Sequence, residues 1–220
     1  MTEVYWLARS VVEETERIFA DTPPGVPGGS YIKIDHAVHQ RLYGVLGASA
    51  KISALITERP RQKDQSRIQH ETLLRRARWL RSLLTGLGLS GVTATKVRNT
   101  VEHFDEYLDD TSRKCSNGTI ALPAVLPIDM SFGHRDLMPQ LLTGTKFSGA
   151  TVYGLRVYVA DERVFINCDV EINIAQLHDE CSAIEARLKP LLPDFVAGSG
   201  GQGSSMFVVT RESFGPLAGG

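Results

Sequence analysis

Three residues close together in the chain, Arg98, Asn99 and His103, carry side chains with a definite chemical use. A guanidinium stays charged and grips a phosphate through two parallel hydrogen bonds. An imidazole titrates near neutrality and so moves protons. The amide between them can orient either group. On a straight helix Asn99 and His103, four apart, share a face, whereas Arg98 and His103 lie about 140° apart. The plainer alternative is a surface helix, with Arg98 paired to Glu102 at i,i+4 and His103 in water.

A second group is basic. Arg59, Arg61, Lys63, Arg67, Arg75, Arg76, Arg78 and Arg81 stand against only Asp64 and Glu71, with Trp79 among them. Such a stretch can hold a phosphate backbone while the indole stacks on a base, which makes Arg67, Arg75, Arg78 and Trp79 candidate RNA contacts. The competing and favoured reading is a solvated face paired with acidic Glu102, Asp105, Glu106, Asp109 and Asp110.

Other groups offer less. Asp35-His36-x-x-His39 sets two imidazoles one turn apart, but no further ligand lies near in sequence, so polar surface is expected and no metal. His134 and His178 read as isolated and exposed. Cys168 and Cys181 read as small core residues, and Cys115 follows Arg113-Lys114 without a partner base. The glycine-rich 198–203 lacks the Lys-Ser/Thr of a phosphate loop, and neither GxSxG nor GxGxxG occurs. No cofactor is expected.

The elements that must position these residues are mostly helical. Helices are expected over 2–20, 35–57, 64–87 and 93–111, each with an apolar stripe. In the second, Gly44 and Gly47 are expected to allow close packing. In the fourth, Val97, Val101, Phe104 and Leu108 form the stripe. Residues 21–30 and 117–149, rich in proline and glycine, read as irregular chain. Strands over 150–159 and 163–170 form a hairpin about Asp161-Glu162, followed by a helix over 174–192. The expected fold is mainly α: a four-helix bundle followed by a small β-hairpin plus helix unit, α+β overall. The corresponding units are 1–115, an irregular connection 116–149, the hairpin and helix 150–195, and a flexible Gly-rich tail 196–220.

Composition sets bounds on this. Of 220 residues, 42% are hydrophobic and 22% charged, which fits a soluble globular chain. A net charge of −1 disfavours coating nucleic acid by bulk charge. No apolar run approaches the roughly 20 residues that span a membrane, and the start lacks the basic-then-apolar order of a leader. Three cysteines without a CxxC pair fit a reducing, cytoplasmic setting.

The segment Arg98-Asn99-Thr100-Val101-Glu102-His103-Phe104-Asp105-Glu106 resembles the HEPN family (higher eukaryote and prokaryote nucleotide-binding domains). Those helical bundles are marked by an arginine, a polar residue directly after it, and a histidine after four to six intervening residues; here four residues separate Arg98 from His103. The EHFDE continuation is similar to bacterial members. The likeness covers residues 1–115 loosely and about ten residues specifically. It implies a metal-independent endoribonuclease, with His103 as acid or base at the ribose 2′-hydroxyl or leaving oxygen, Arg98 on the phosphate, and Asn99 orienting. It also implies a homodimer, since helices of two protomers surround the family's shared cleft, and a toxin-type role with an antitoxin-type protein partner. The alternative class is a non-catalytic interaction module or partner protein on the same bundle.

Overall fold

The computed structural model describes residues 1–25, 31–119, 124–125, 129–135, 145–147, 150–152, 156–167 and 170–193. Within some of these elements it describes the backbone but not the side chain, as for Arg98 and Phe104. The expected tail, 196–220, and about half of the expected 116–149 connection lie outside the described residues.

Helix α1 (Thr2–Asp21) turns Val4, Ala8, Val11, Thr15 and Ile18 inward, an i, i+4, i+7 progression that buries one stripe. Helix α2 (His36–Ile56) starts on Asp35, whose carboxylate accepts the Val38 N–H, and buries Val38, Leu42, Val45, Leu46, Ile52 and Ile56. Helix α3 (Arg67–Leu83) opens with a reciprocal capping box between Ser66 and Gln69. It buries only Ala77 and Leu80 within its length, followed by Leu84. Leu73, one turn before Ala77 and by helical spacing on the same side as Ala77, Leu80 and Leu84, is exposed. Gly86, at φ 85°, ends the turn that follows.

Three further helices complete the main body. Helix α4 (Thr95–Glu102) and helix α5 (Phe104–Ser116) replace the single expected helix over 93–111. Of the expected stripe there, Val97 is buried, and the side chains of Val101, Phe104 and Leu108 lie outside the described residues. Helix α6 (Ile174–Leu188), capped by Asn173, buries Ile174, Leu177, Cys181, Ile184 and Leu188. Burial pushes the Cys181 thiol up to about 12, which suits a core residue and not a nucleophile. Cys168 lies outside the described residues.

The strands are more numerous than the alternation indicates. In chain order they are β1 (Ile32–Ile34), β2 (Ala124–Val125), β3 (Asp129–Phe132), β4 (Thr145–Phe147), β5 (Ala150–Val152), β6 (Arg156–Val159), β7 (Val164–Asn167) and β8 (Val170–Asn173). One mixed sheet has the order β1-β3-β6-β7-β8, parallel only between β3 and β6, and a smaller one the order β2-β5-β4. Asp129–Phe132, read as irregular chain, is thus an interior strand. The expected hairpin is present as β6–β7, with Arg163 at φ 54° in its turn, and β8 adds a third strand.

Alternation sorts the sheet's two faces. Tyr158, Phe165 and Ile172 lie in one row and join the core formed with α1, α2 and α6. Met130, Phe132, Val157, Val159, Val164 and Ile166 form a second buried cluster. The fold class is α+β. Helix α2 is the hub, packed against α1, α3 and α4, while α6 packs on α1. His178, expected to be exposed, joins that last contact: its Nδ1 lies 2.8 Å from Thr15 Oγ1 and its ring beside Phe19. Among the described residues no helix is long and apolar enough to cross a membrane.

Gly44 and Gly47 do not mark a close approach, since an added Cβ at either meets no atom within 4 Å. Gly44 is exposed in mid-helix. Gly44→Ala is therefore expected to stabilise the protein by about 0.5–1 kcal/mol in a denaturant melt, through helix propensity alone.

Candidate functional site

The loop before α4 is fixed from below. Glu180 of α6, buried at the core edge, accepts the N–H groups of Gly91 and Val92, each at 2.8 Å, and the Gln176 amide at 2.8 Å. These charge-assisted bonds satisfy the donors ahead of a helix whose own N-cap, Ala94, has no capping side chain. Lys96 adds a bond from Nζ to the Glu171 carbonyl, 2.7 Å. Helix α4 then buries Val97 and Thr100.

The helix stops at His103. Its backbone, at φ −124° and ψ 28°, leaves helical geometry while its N–H still bonds the Asn99 carbonyl at 2.9 Å. Thr100, one turn into the segment, returns its hydroxyl to the Lys96 carbonyl at 2.8 Å, a bond that bends helices. His103 therefore sits at a joint, at once the last cap of α4 and the first of α5. The count of ~100° per residue ends there, so the straight-helix relation between Arg98 and His103 does not apply.

At the joint the imidazole is 44% exposed, with Nδ1 3.0 Å from Glu106 Oε1. A carboxylate on Nδ1 holds the proton on that atom and leaves Nε2 as the basic nitrogen. Asn99 is half-buried one turn earlier. The backbone of Arg98 lies on α4; its side chain is outside the described residues.

The basic candidates lie on another helix. Arg67 Nε pairs with Glu71 at 2.7 Å, and Arg78 forks onto Glu58 Oε2 at 2.9 and 3.1 Å. Arg75 is exposed and Trp79 half-exposed. The expected pairing of this helix with the acidic segment is not seen: among the described residues Glu106 bonds His103, and Asp110 bonds Arg113 and Lys114 of its own helix. The α3 set and the α4 set lie on different helices, both packed on α2.

A third constellation escapes the sequence reading. His36 Nδ1 is 2.5 Å from Asp129 Oδ2, and the other oxygen of that buried carboxylate is paired with Arg156. Register explains the meeting, since Asp129, Arg156 and Asn167 lie in one row across β3, β6 and β7. The His36 side chain is 70% exposed and its Nε2 lies 3.0 Å from the Gln40 amide nitrogen. A solvent-facing imidazole backed by a buried carboxylate is an acid–base pair. His39, expected on the surface, is 1% exposed, with Nδ1 2.9 Å from the Asp35 carbonyl. Each imidazole thus has Nδ1 turned to an oxygen acceptor, and among the described residues no group of three ligands is placed to hold a metal.

Burial holds the His39 pKa below its ordinary value, against the Asp35 carbonyl and the Asp129 charge that favour protonation. The consequence for stability has a definite sign. Above the ordinary imidazole value of about 6.5 the ring is neutral in both states. Below it the unfolded chain binds the proton and the folded chain resists, so stability falls as pH drops from about 6.5 toward the folded value. Burial also works against the Asp35 carboxylate, but Lys33 and the Val38 N–H outweigh it and hold that pKa low, so Asp35 contributes nothing to this window. The unfolding free energy of wild type minus that of His39→Asn is expected to shrink from pH 7 to pH 5. A flat difference would place His39 in water.

No family model, no curated protein and no solved structure matches this chain.

Proposed function

We propose that the chain is a HEPN-like, metal-independent endoribonuclease of toxin type, acting in the cytoplasm as a homodimer whose helical part is the family's bundle. The observation that carries this reading is His103: a half-exposed imidazole at a helix joint, Nδ1 held by Glu106, one turn beyond Asn99. In this reading Nε2 takes the proton of the ribose 2′-hydroxyl, or returns one to the leaving oxygen. Arg98 stabilises the charge that develops on the phosphate, and Asn99 orients the phosphate or the imidazole. Arg67, Arg75, Arg78 and Trp79 are the further RNA contacts, of which Arg67 and Arg78 must first exchange Glu71 and Glu58 for phosphate.

The test is incubation of the purified chain with a mixed RNA pool, with and without chelator. Cleavage is expected in both arms. It should be lost in Arg98→Ala and not restored by Arg98→Lys, because an ammonium does not replace a bidentate fork. An absence of cleavage in every condition would overturn the enzyme reading and leave a non-catalytic interaction module.

A further inference from the structure

Helix α3 and the loop before it present an unusual face. Ile68 is 77% exposed, Trp79 50% and Leu73 37%, three of the five exposed large apolar side chains among the described residues. Opposite the buried Ala77–Leu80–Leu84 side, the helical count places Ile68, Arg75, Arg78 and Trp79 on one outward strip. Beside Ile68 and Leu73 opens a hollow of about 530 Å³, lined also by Gln62, Asp64, Gln65, Gln69 and Thr72. A second, of about 250 Å³, lies where Leu73 and Leu74 meet the 57–65 loop. Arg59 and Arg76 line the second hollow together with Glu58, and Arg61, Lys63, Arg75 and Arg81 are exposed on the same stretch of chain; among the described residues none of these six cations has an ion-pair partner.

We propose that this face is a docking groove for an amphipathic helix of another protein, with leucine-like anchors on one side and aspartate or glutamate flanking them. Two features select that occupant. The free cations call for acidic groups, and the hollows beside Ile68 and Leu73 call for aliphatic side chains, which a helix supplies together at i, i+3 and i+4. Single-stranded RNA satisfies the arginines and Trp79 but brings nothing aliphatic to the hollows. A second copy meeting α3 with its own α3 sets like charges against each other. The proposal rests on the nuclease reading in one respect: the partner covers Arg75, Arg78 and Trp79, so its binding competes with RNA and restrains cleavage.

The probe is a fluorescein-labelled 18-residue helix with leucine at i, i+3, i+4 and i+7 and glutamate elsewhere, followed by anisotropy against the full chain. A leucine-to-serine control of equal charge and a 20-nucleotide single-stranded RNA serve as comparisons. Ile68→Ser and Arg75→Glu are each expected to weaken peptide binding at least tenfold, and both lie on the surface, so circular dichroism should be unchanged. His103→Ala should bind the peptide as wild type does, which separates this result from failure of the nuclease reading. Equal binding of the serine control, or peptide binding indifferent to Ile68→Ser, would overturn the groove and leave a simple polyanion surface. No peptide binding, with a solution mass of twice the chain that Ile68→Ser halves, would give the face to a second copy.

Discussion

His103→Ala is expected to fold as wild type and to cut RNA ~10²–10⁴-fold more slowly, the usual contribution of a positioned acid–base group. The side chain is half-exposed, and among the described residues its one partner is the exposed Glu106, so its removal leaves none of their buried groups unsatisfied. Arg98→Ala should fall by a similar factor. The double variant should be little slower than either single one, since residues that act on one transition state are not additive. Initial rates on a labelled RNA settle the matter. His36→Ala is the matched comparison, because His36 is also an exposed imidazole on a carboxylate. If His36→Ala removed cleavage and His103→Ala did not, the acid–base centre would belong to the strand row and not to the helix joint.

The largest stability effect is expected at Asp129. Its carboxylate is buried, holds His36 with one oxygen and Arg156 with the other, and its carbonyl accepts the Asp35 N–H at 3.2 Å. Asp129→Ala removes the buried carboxylate that pairs with the Arg156 guanidinium, itself only 14% exposed. Breaking a buried pair in this way costs about 3–5 kcal/mol. Replacing both members, as Asp129→Ala with Arg156→Met, should recover much of that loss, because neither half of the broken pair is then left in the interior. Denaturant melts of the three variants decide it. A loss below about 1 kcal/mol for Asp129→Ala would mean that water reaches the pair.

How much of this was legible in the sequence follows from how local each signal is. Helices α1, α2 and α6 carry apolar residues at helical spacing, such as Val4, Val11 and Ile18 in α1, and were readable as helices from that spacing. Strand β3 was not: Pro127 and Gly133 bracket it, and its Asp-Met-Ser-Phe alternation runs for only four residues. With β3 unread, Asp129 had no visible partner, and its bond to His36 spans 93 positions. The joint at His103 was hidden because the spacing of Val97, Val101, Phe104 and Leu108 runs through it as though the helix were continuous. What breaks it lies in the backbone and in Thr100, whose hydroxyl bonds a carbonyl and not water. The basic character of α3 was legible, but not its exposure. Leu73 looks like a core residue by spacing, and only the packing of α3 on α2 leaves it outside.

The central claim is that His103 and Arg98 act on an RNA phosphodiester through the neighbouring 2′-hydroxyl. The most direct measurement is the chemistry of the new ends left by the wild-type chain in chelator. Attack by the 2′-oxygen leaves a 2′,3′-cyclic phosphate on one fragment and a 5′-hydroxyl on the next. Fragments that resist phosphatase until acid opens the cyclic end, and that polynucleotide kinase labels directly at the 5′ end, are the predicted result. Fragments with 5′-phosphate and 3′-hydroxyl ends, made only when divalent metal is present, would contradict it.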